Sequence, residues 1–160
     1  MNFYNREEAR QRMNDLAEQA VPFLFIIDYD SKRAVVEPEN DVDANELKYC
    51  FNGKGNATQT AYPANKDIEW DIEPPTETEY QHSFNTVRNA MLAGNSYLAN
   101  LTCRIGLRTN LSLLDLYHAA EARYRLWMKD KLVCFSPETF VKIAQGEISS
   151  YPMKGTAEDL

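Results

Sequence analysis

The 160 residues are 44% hydrophobic and 26% charged, the make-up of one soluble globular domain rather than of a disordered or collagen-like chain. Seventeen Lys and Arg stand against 24 Asp and Glu, a net charge of -7, which leaves no basic surplus for a nucleic-acid backbone or an anionic membrane. Cys50, Cys103 and Cys134 share no C-x-x-C spacing and there are only 2 histidines, so neither a disulfide framework nor a zinc site is legible.

Asn5 with Glu8 three residues on has the form of a capping box, and Ala9, Met13, Leu16 and Ala20 recur at helical spacing. An amphipathic helix is expected over residues 6 to 20, stopped by Pro22. The apolar run from Phe23 to Asp28, the turn residues Asp30-Ser31-Lys32 and the β-branched Ala34-Val35-Val36 read as a first hairpin. Glu37 to Glu46 is an acidic loop, and Leu47 to Phe51 one more strand. The turn Asn52-Gly53-Lys54-Gly55-Asn56 is rich in glycine but is not a phosphate loop. That loop needs G-x-x-x-x-G-K-S/T leading into a helix, and here a polar stretch with Pro63 follows, so a surface turn is expected.

After Pro74-Pro75, Thr76 with Glu79 opens a second helix, whose Tyr80, Phe84, Val87 and Met91 form a stripe expected to face a core, with Gly94 at its end. His82 lies off that stripe and reads as solvated. Ala99, Leu101, Cys103, Ile105 and Leu107 alternate in the manner of a long half-buried strand, which makes Cys103 a core residue. Ser112 with Asp115 starts a short helix through Ala122, whose His118 reads as structural. From Tyr124 the period becomes two: Tyr124 to Met128, Leu132 to Phe135, Phe140 to Ala144 and Glu147 to Tyr151 read as an antiparallel meander. The expected class is α+β, an antiparallel sheet with flanking helices in a single domain spanning residues 1 to 160. The longest apolar run, Val21 to Ile27, is too short to cross a bilayer, and Met1-Asn2-Phe3-Tyr4 lacks the basic-then-apolar order of a secretion signal. A cytoplasmic protein that avoids membranes and nucleic acid is expected.

A two-residue turn at Gln145-Gly146 makes Ala144 face Glu147 and, carried outward, brings Glu138 opposite Met153 beside Lys154. Pro137 and Pro152 cannot continue a ladder, so both arms pass into irregular backbone where side chains converge. A glutamate beside a lysine that precedes Gly155-Thr156 has two readings. One is a solvated ion pair at a hairpin end. The other is a lysine made nucleophilic by desolvation, with an acid as proton donor and two backbone amides to hold a carboxylate.

Three segments carry a resemblance. Ala93-Gly94-Asn95-Ser96-Tyr97-Leu98-Ala99-Asn100-Leu101-Thr102, Phe135-Ser136-Pro137-Glu138-Thr139-Phe140 and Tyr151-Pro152-Met153-Lys154-Gly155-Thr156 resemble, in order and spacing, successive signatures of the chorismate-binding enzymes. In that family P-I-A-G-T is usual in anthranilate and isochorismate synthases, and P-I-K-G-T marks the chorismate-aminating branch, aminodeoxychorismate synthase component I. Pro152-Met153-Lys154-Gly155-Thr156 is of the second kind.

The resemblance implies that Lys154 attacks C2 of chorismate and that Glu138 moves protons. It implies that Gly155 and Thr156 contact the ring carboxylate, and it aligns Asn100 with the asparagine of Q-V-N-L, where a role inside the sheet is an equal alternative. It also implies ammonia from a glutamine amidotransferase, and Mg²⁺ held by carboxylates beyond Leu160. The chain resembles the N-terminal half of the family's domain, for which self-association through uncovered faces is expected. Leu98 stands where the family has glutamine, Thr139 where arginine is common, and Leu24-Phe25-Ile26-Ile27 in place of the L-L-E-S segment linked to tryptophan binding. Another chorismate-using synthase, and a non-catalytic half-domain that only binds a partner, are the alternatives.

Overall fold

In the computed structural model, which describes residues 1–57, 67–136 and 139–151, the first helix, α1 (Arg6–Glu18), starts as the capping pattern requires. Asn5 Oδ1 accepts hydrogen bonds from the amides of Glu7 and Glu8, and the Glu8 carboxylate accepts one from the Asn5 amide in return. Ala9 and Leu16 are buried. They pack with Ala34 and Val36, joined by Tyr4, Met13, Val21 and Phe23.

β1 (Phe23–Ile27) and β2 (Ala34–Pro38) form the expected hairpin, with β2 running two residues past Val36. Three consecutive residues of β2, Ala34, Val35 and Val36, are buried. Because side chains alternate across a strand, Ala34 and Val36 go to the α1 cluster, while Val35 joins Leu47 and Met128 in a second one. β2 is therefore covered on both faces.

β3 (Leu47–Phe51) and the short β4 (Lys54–Gly55) close around Asn52 and Gly53, both at positive φ. The glycine-rich stretch is a hairpin turn, as the sequence implied. Gly55 is required here by space, since a Cβ would collide with the Tyr49 carbonyl. Asn56 then fastens the turn back onto β3: its Oδ1 accepts from the Tyr49 amide at 3.0 Å and its Nδ2 donates to the Leu47 carbonyl at 2.7 Å.

β7 (Tyr124–Met128) pairs on one side with β3, from Leu47↔Met128 to Phe51↔Tyr124, and on the other with β8 (Leu132–Phe135), giving the order β4-β3-β7-β8. α3 (Leu113–Ala119) packs on β7 and β8 and ends three residues before Ala122. β9 (Lys142–Ala144) and β10 (Glu147–Ser149) form a separate hairpin in the expected register, Ala144↔Glu147, Ile143↔Ile148 and Lys142↔Ser149. The four C-terminal strands are thus two hairpins in two sheets rather than one meander. The ladder of β8 stops at Ser136, whose φ of 40° turns the backbone, and Pro137 supplies no amide to resume it.

The architecture is α+β. By contacts the chain divides into two units, Met1–Tyr62 with Leu113–Leu160, and Pro63–Ser112. The second holds β5 (Trp70–Glu73), α2 (Glu77–Leu92) and β6 (Gly106–Thr109). Thr76 and Glu79 make the second capping box, and Gly94 follows the helix at φ 77°. Two expectations fail in this unit. The stripe Tyr80, Phe84, Val87, Met91 has the predicted helical spacing, yet α2 has no buried residue. Periodicity defines a face and not its cover.

The strand expected over Ala99–Leu107 is confined to Gly106–Thr109, and Cys103 is exposed rather than part of a core. A ladder lasts only as long as its partner. β5 offers Trp70–Glu73 to β6, and Pro74-Pro75 then ends it.

Leu47, 2% exposed, and Asn5 report different parts of this fold. Leu47→Ala should lower unfolding free energy by about 2–4 kcal/mol through transfer and cavity costs, and Asn5→Ala by about 1 kcal/mol through loss of the cap. Urea melts with unchanged slopes and midpoints displaced in that ratio are the expected result.

Candidate functional site

The β9–β10 hairpin lies between the two motifs that carry the expected chemistry. Gln145 and Gly146 at φ 54° and 79° make the two-residue turn of mirror-image type that matches strand twist. The described ladder ends at Lys142↔Ser149. Glu138, Lys154, Gly155 and Thr156 lie outside the described residues. Asn100 is exposed, in a stretch that belongs to no strand. Among the described residues no three His, Cys, Asp or Glu side chains group to hold a metal ion, and no helix is long and apolar enough to cross a membrane.

A second polar constellation escaped the sequence reading. Arg125, on β7, is buried at 7% exposure beside a cleft of about 610 Å³ whose walls include Asn52, Glu121 and Arg123. Its Nη1 donates to the Ala120 carbonyl at 3.0 Å, just past the end of α3, where a positive charge suits the helix dipole. Its guanidinium lies 5.3 Å from the centre of the Tyr117 ring. Tyr117 is 2% exposed, and burial pushes its phenol above the ordinary value. His118 meets the same ring edge-on at 5.4 Å between centroids.

Burial, then the charges of Lys48 and Arg125, hold the His118 imidazole below its usual pKa, with Asp115 opposing. Position 125 falls in an alternating strand, where an arginine ordinarily reads as solvent-facing. The available sign was the aromatic at 117 and the helix end at 119, which together make a buried guanidinium tolerable.

This arrangement stands alongside three comparisons. The family model for chorismate binding enzymes matches residues 3–159. An uncharacterized PabA-like protein of Haemophilus influenzae is 36% identical over 146 residues, 91% of this chain and 44% of the relative. Another uncharacterized PabA-like protein, from Pasteurella multocida, is 34% identical over 148 residues, 92% of this chain and 46% of the relative. The chain thus spans less than half the length of these curated relatives. No solved structure matches it. The chain belongs to the chorismate-binding enzyme family.

His118 sets a pH dependence. A base whose folded pKa is depressed gives stability that is complete above its unfolded value of about 6.5 and is lost as pH falls through the lower folded value. Urea midpoints should therefore decline below about pH 6.5, and His118→Gln should flatten that part of the profile while leaving the alkaline side unchanged.

Proposed function

We propose that this chain contributes the nucleophile of a chorismate-aminating enzyme of the aminodeoxychorismate synthase component I type. Family membership supports a chorismate-using synthase. The observation that carries the finer reading is Lys154 within Pro152-Met153-Lys154-Gly155-Thr156, where the family's non-aminating synthases usually have alanine. Because the chain spans 44% of its Haemophilus relative, the activity is proposed for the complete protein.

The chemistry constrains the two ionisable groups in opposite ways. The Lys154 Nζ lone pair forms a bond to C2 of chorismate, both ring double bonds shift, from C1=C2 to C1=C6 and from C5=C6 to C4=C5, and the C4 hydroxyl departs as water with a proton from Glu138. Ammonia then bonds to C4 and returns a proton to the Glu138 carboxylate, both double bonds move back, and the C2–Nζ bond breaks to release neutral lysine. An ammonium has no lone pair, so Lys154 has to be neutral when it attacks, which requires desolvation or a neighbouring cation.

An ionised Glu138 would stabilise the ammonium, so Glu138 starts protonated and acts as the acid. Gly155 and Thr156 serve the ring carboxylate through their amides, a glycine allowing close backbone approach. Asn100 is assigned to substrate binding by its place in the family signature alone. Ammonia would come from a glutamine amidotransferase. Mg²⁺ would be held by residues of the family domain outside this chain, and no step here is carried by it.

The 160-residue chain alone, given chorismate, ammonia and Mg²⁺, should form no aminodeoxychorismate. In the complete protein Lys154→Ala should abolish exchange of amine for hydroxyl while chorismate binding persists in calorimetry. Glu138→Gln should slow hydroxyl loss by roughly 100-fold or more. Peptide mass spectrometry of trapped enzyme should find the adduct on Lys154. An adduct on another lysine, or full turnover by Lys154→Ala, would remove the assignment.

A further inference from the structure

Among the described residues, Arg125 Nε and the Tyr117 hydroxyl are buried side-chain atoms without a hydrogen-bond partner. They belong to one contact, since the Arg125 guanidinium lies over the Tyr117 ring. Buried donors in folded proteins are paired with few exceptions, so two orphans at one place mark a missing acceptor. A guanidinium carries donors on two edges. Nη1 donates to the Ala120 carbonyl, while Nε, on the other edge, is closed to water and unbonded. Among the described residues no carboxylate forms an ion pair with Arg125. Taking a positive charge out of water without an anion is costly, and one carbonyl and one ring face offset only part of that cost.

The surroundings say what kind of acceptor is wanted. Arg125 lines the cleft of about 610 Å³ together with Asn52, Gly53, Glu121 and Arg123. Arg123 stands two residues before Arg125, on the same side of the chain, and is exposed. Its guanidinium too is in no ion pair among the described residues. Two arginines and one glutamate leave one net positive charge, which favours a monoanion over a dianion. The planar fork of a guanidinium matches the two oxygens of a carboxylate. Residues 120–123 belong to neither α3 nor β7, so Glu121 and Arg123 are carried by a connecting segment that can shift to admit a ligand to Nε.

We infer that this cleft is a binding site for a small monocarboxylate, whose oxygens meet the Nε edge of Arg125 and whose charge is shared with Arg123. The Tyr117 ring and the Ala120 carbonyl orient the guanidinium before the ligand arrives, which lowers the ordering cost of binding. Arg125 pairs with Phe135 on β8, and the Ser136 amide donates to the Tyr124 carbonyl. The cleft thus adjoins the strand end from which the chain runs on to Glu138. The inference rests on this contact and not on the amination reaction, so its test contains no chorismate.

The 160-residue chain, labelled with nitrogen-15 in arginine and glycine, is titrated with benzoate and separately with inorganic phosphate. The pH is alkaline, so that benzoate carries one charge and phosphate two, and chloride holds the ionic strength constant. The Arg125 Nε–H resonance should move downfield and saturate, with the Gly53 and Arg123 amides following at the same dissociation constant. Benzoate should bind roughly tenfold more tightly than phosphate. Arg125→Met replaces the buried charge by an apolar chain and should weaken benzoate binding by roughly tenfold or more. Arg123→Gln, at an exposed position, should weaken it by about fivefold with circular dichroism unchanged. Arg10→Gln, an exposed position on α1, should have no effect.

If Arg125→Met loses its fold, the Nε–H signal and Arg123→Gln decide. An Nε–H resonance that does not move saturably would overturn the inference. So would phosphate binding as tightly as benzoate, or benzoate affinity indifferent to Arg123→Gln.

Discussion

The burial of β2 on both faces is the constraint on which the rest of its unit depends. A two-stranded hairpin has too little surface to persist in water, and this one is held because Ala34 and Val36 meet α1 while Val35 meets Leu47 and Met128. Polar contacts reinforce the same strand. Tyr4 exchanges backbone hydrogen bonds with Ala34, and Arg12 donates from Nε to the Val36 carbonyl at 2.8 Å while pairing with Glu37. Residues distant in sequence are thereby tied together: Leu47 on β3 and Met128 on β7 are cross-strand partners. The β3–β7 ladder that places Arg125 and Tyr124 follows from that contact.

Local patterns were legible wherever a short stretch carries its own instructions. Both capping boxes, the hairpin of β1 and β2, the turn at Asn52-Gly53 and the register across Gln145-Gly146 follow from neighbours within a few residues. What stayed hidden depends on partners that no local pattern names. Tyr124 to Met128 alternates equally well whether it lies beside β8 alone or between β3 and β8, so the order β4-β3-β7-β8 could not be read. The stripe on α2 and the alternation after Ala99 have the right periods, and the structure leaves both uncovered in these residues.

The candidate site divides along the same line. Motif order carries the family, and the domain match over residues 3–159 agrees with it. The roles proposed for Lys154 and Glu138 come from the family resemblance, and chemistry adds to them a nucleophile that has to lose its proton and an acid that has to keep one. Those demands call for desolvation or, for the lysine, a neighbouring cation, because in bulk solvent each group takes its ordinary charge. Arg125 was missed because its environment is built by Tyr117 and the end of α3, neither of which an alternating pattern in β7 reveals.

The two-residue turn at Gln145-Gly146 has a consequence for how such a chain changes over generations. Both residues sit at positive φ, and the ladder beside them pairs Ala144 with Glu147 directly. Replacing either residue by asparagine or aspartate keeps that geometry. Adding or deleting one residue does not, because a shift of one along a strand sends each side chain to the opposite face. The arms leading to the two motifs are thus tolerant in composition and intolerant in length. Descent with small insertions is closed to this hairpin.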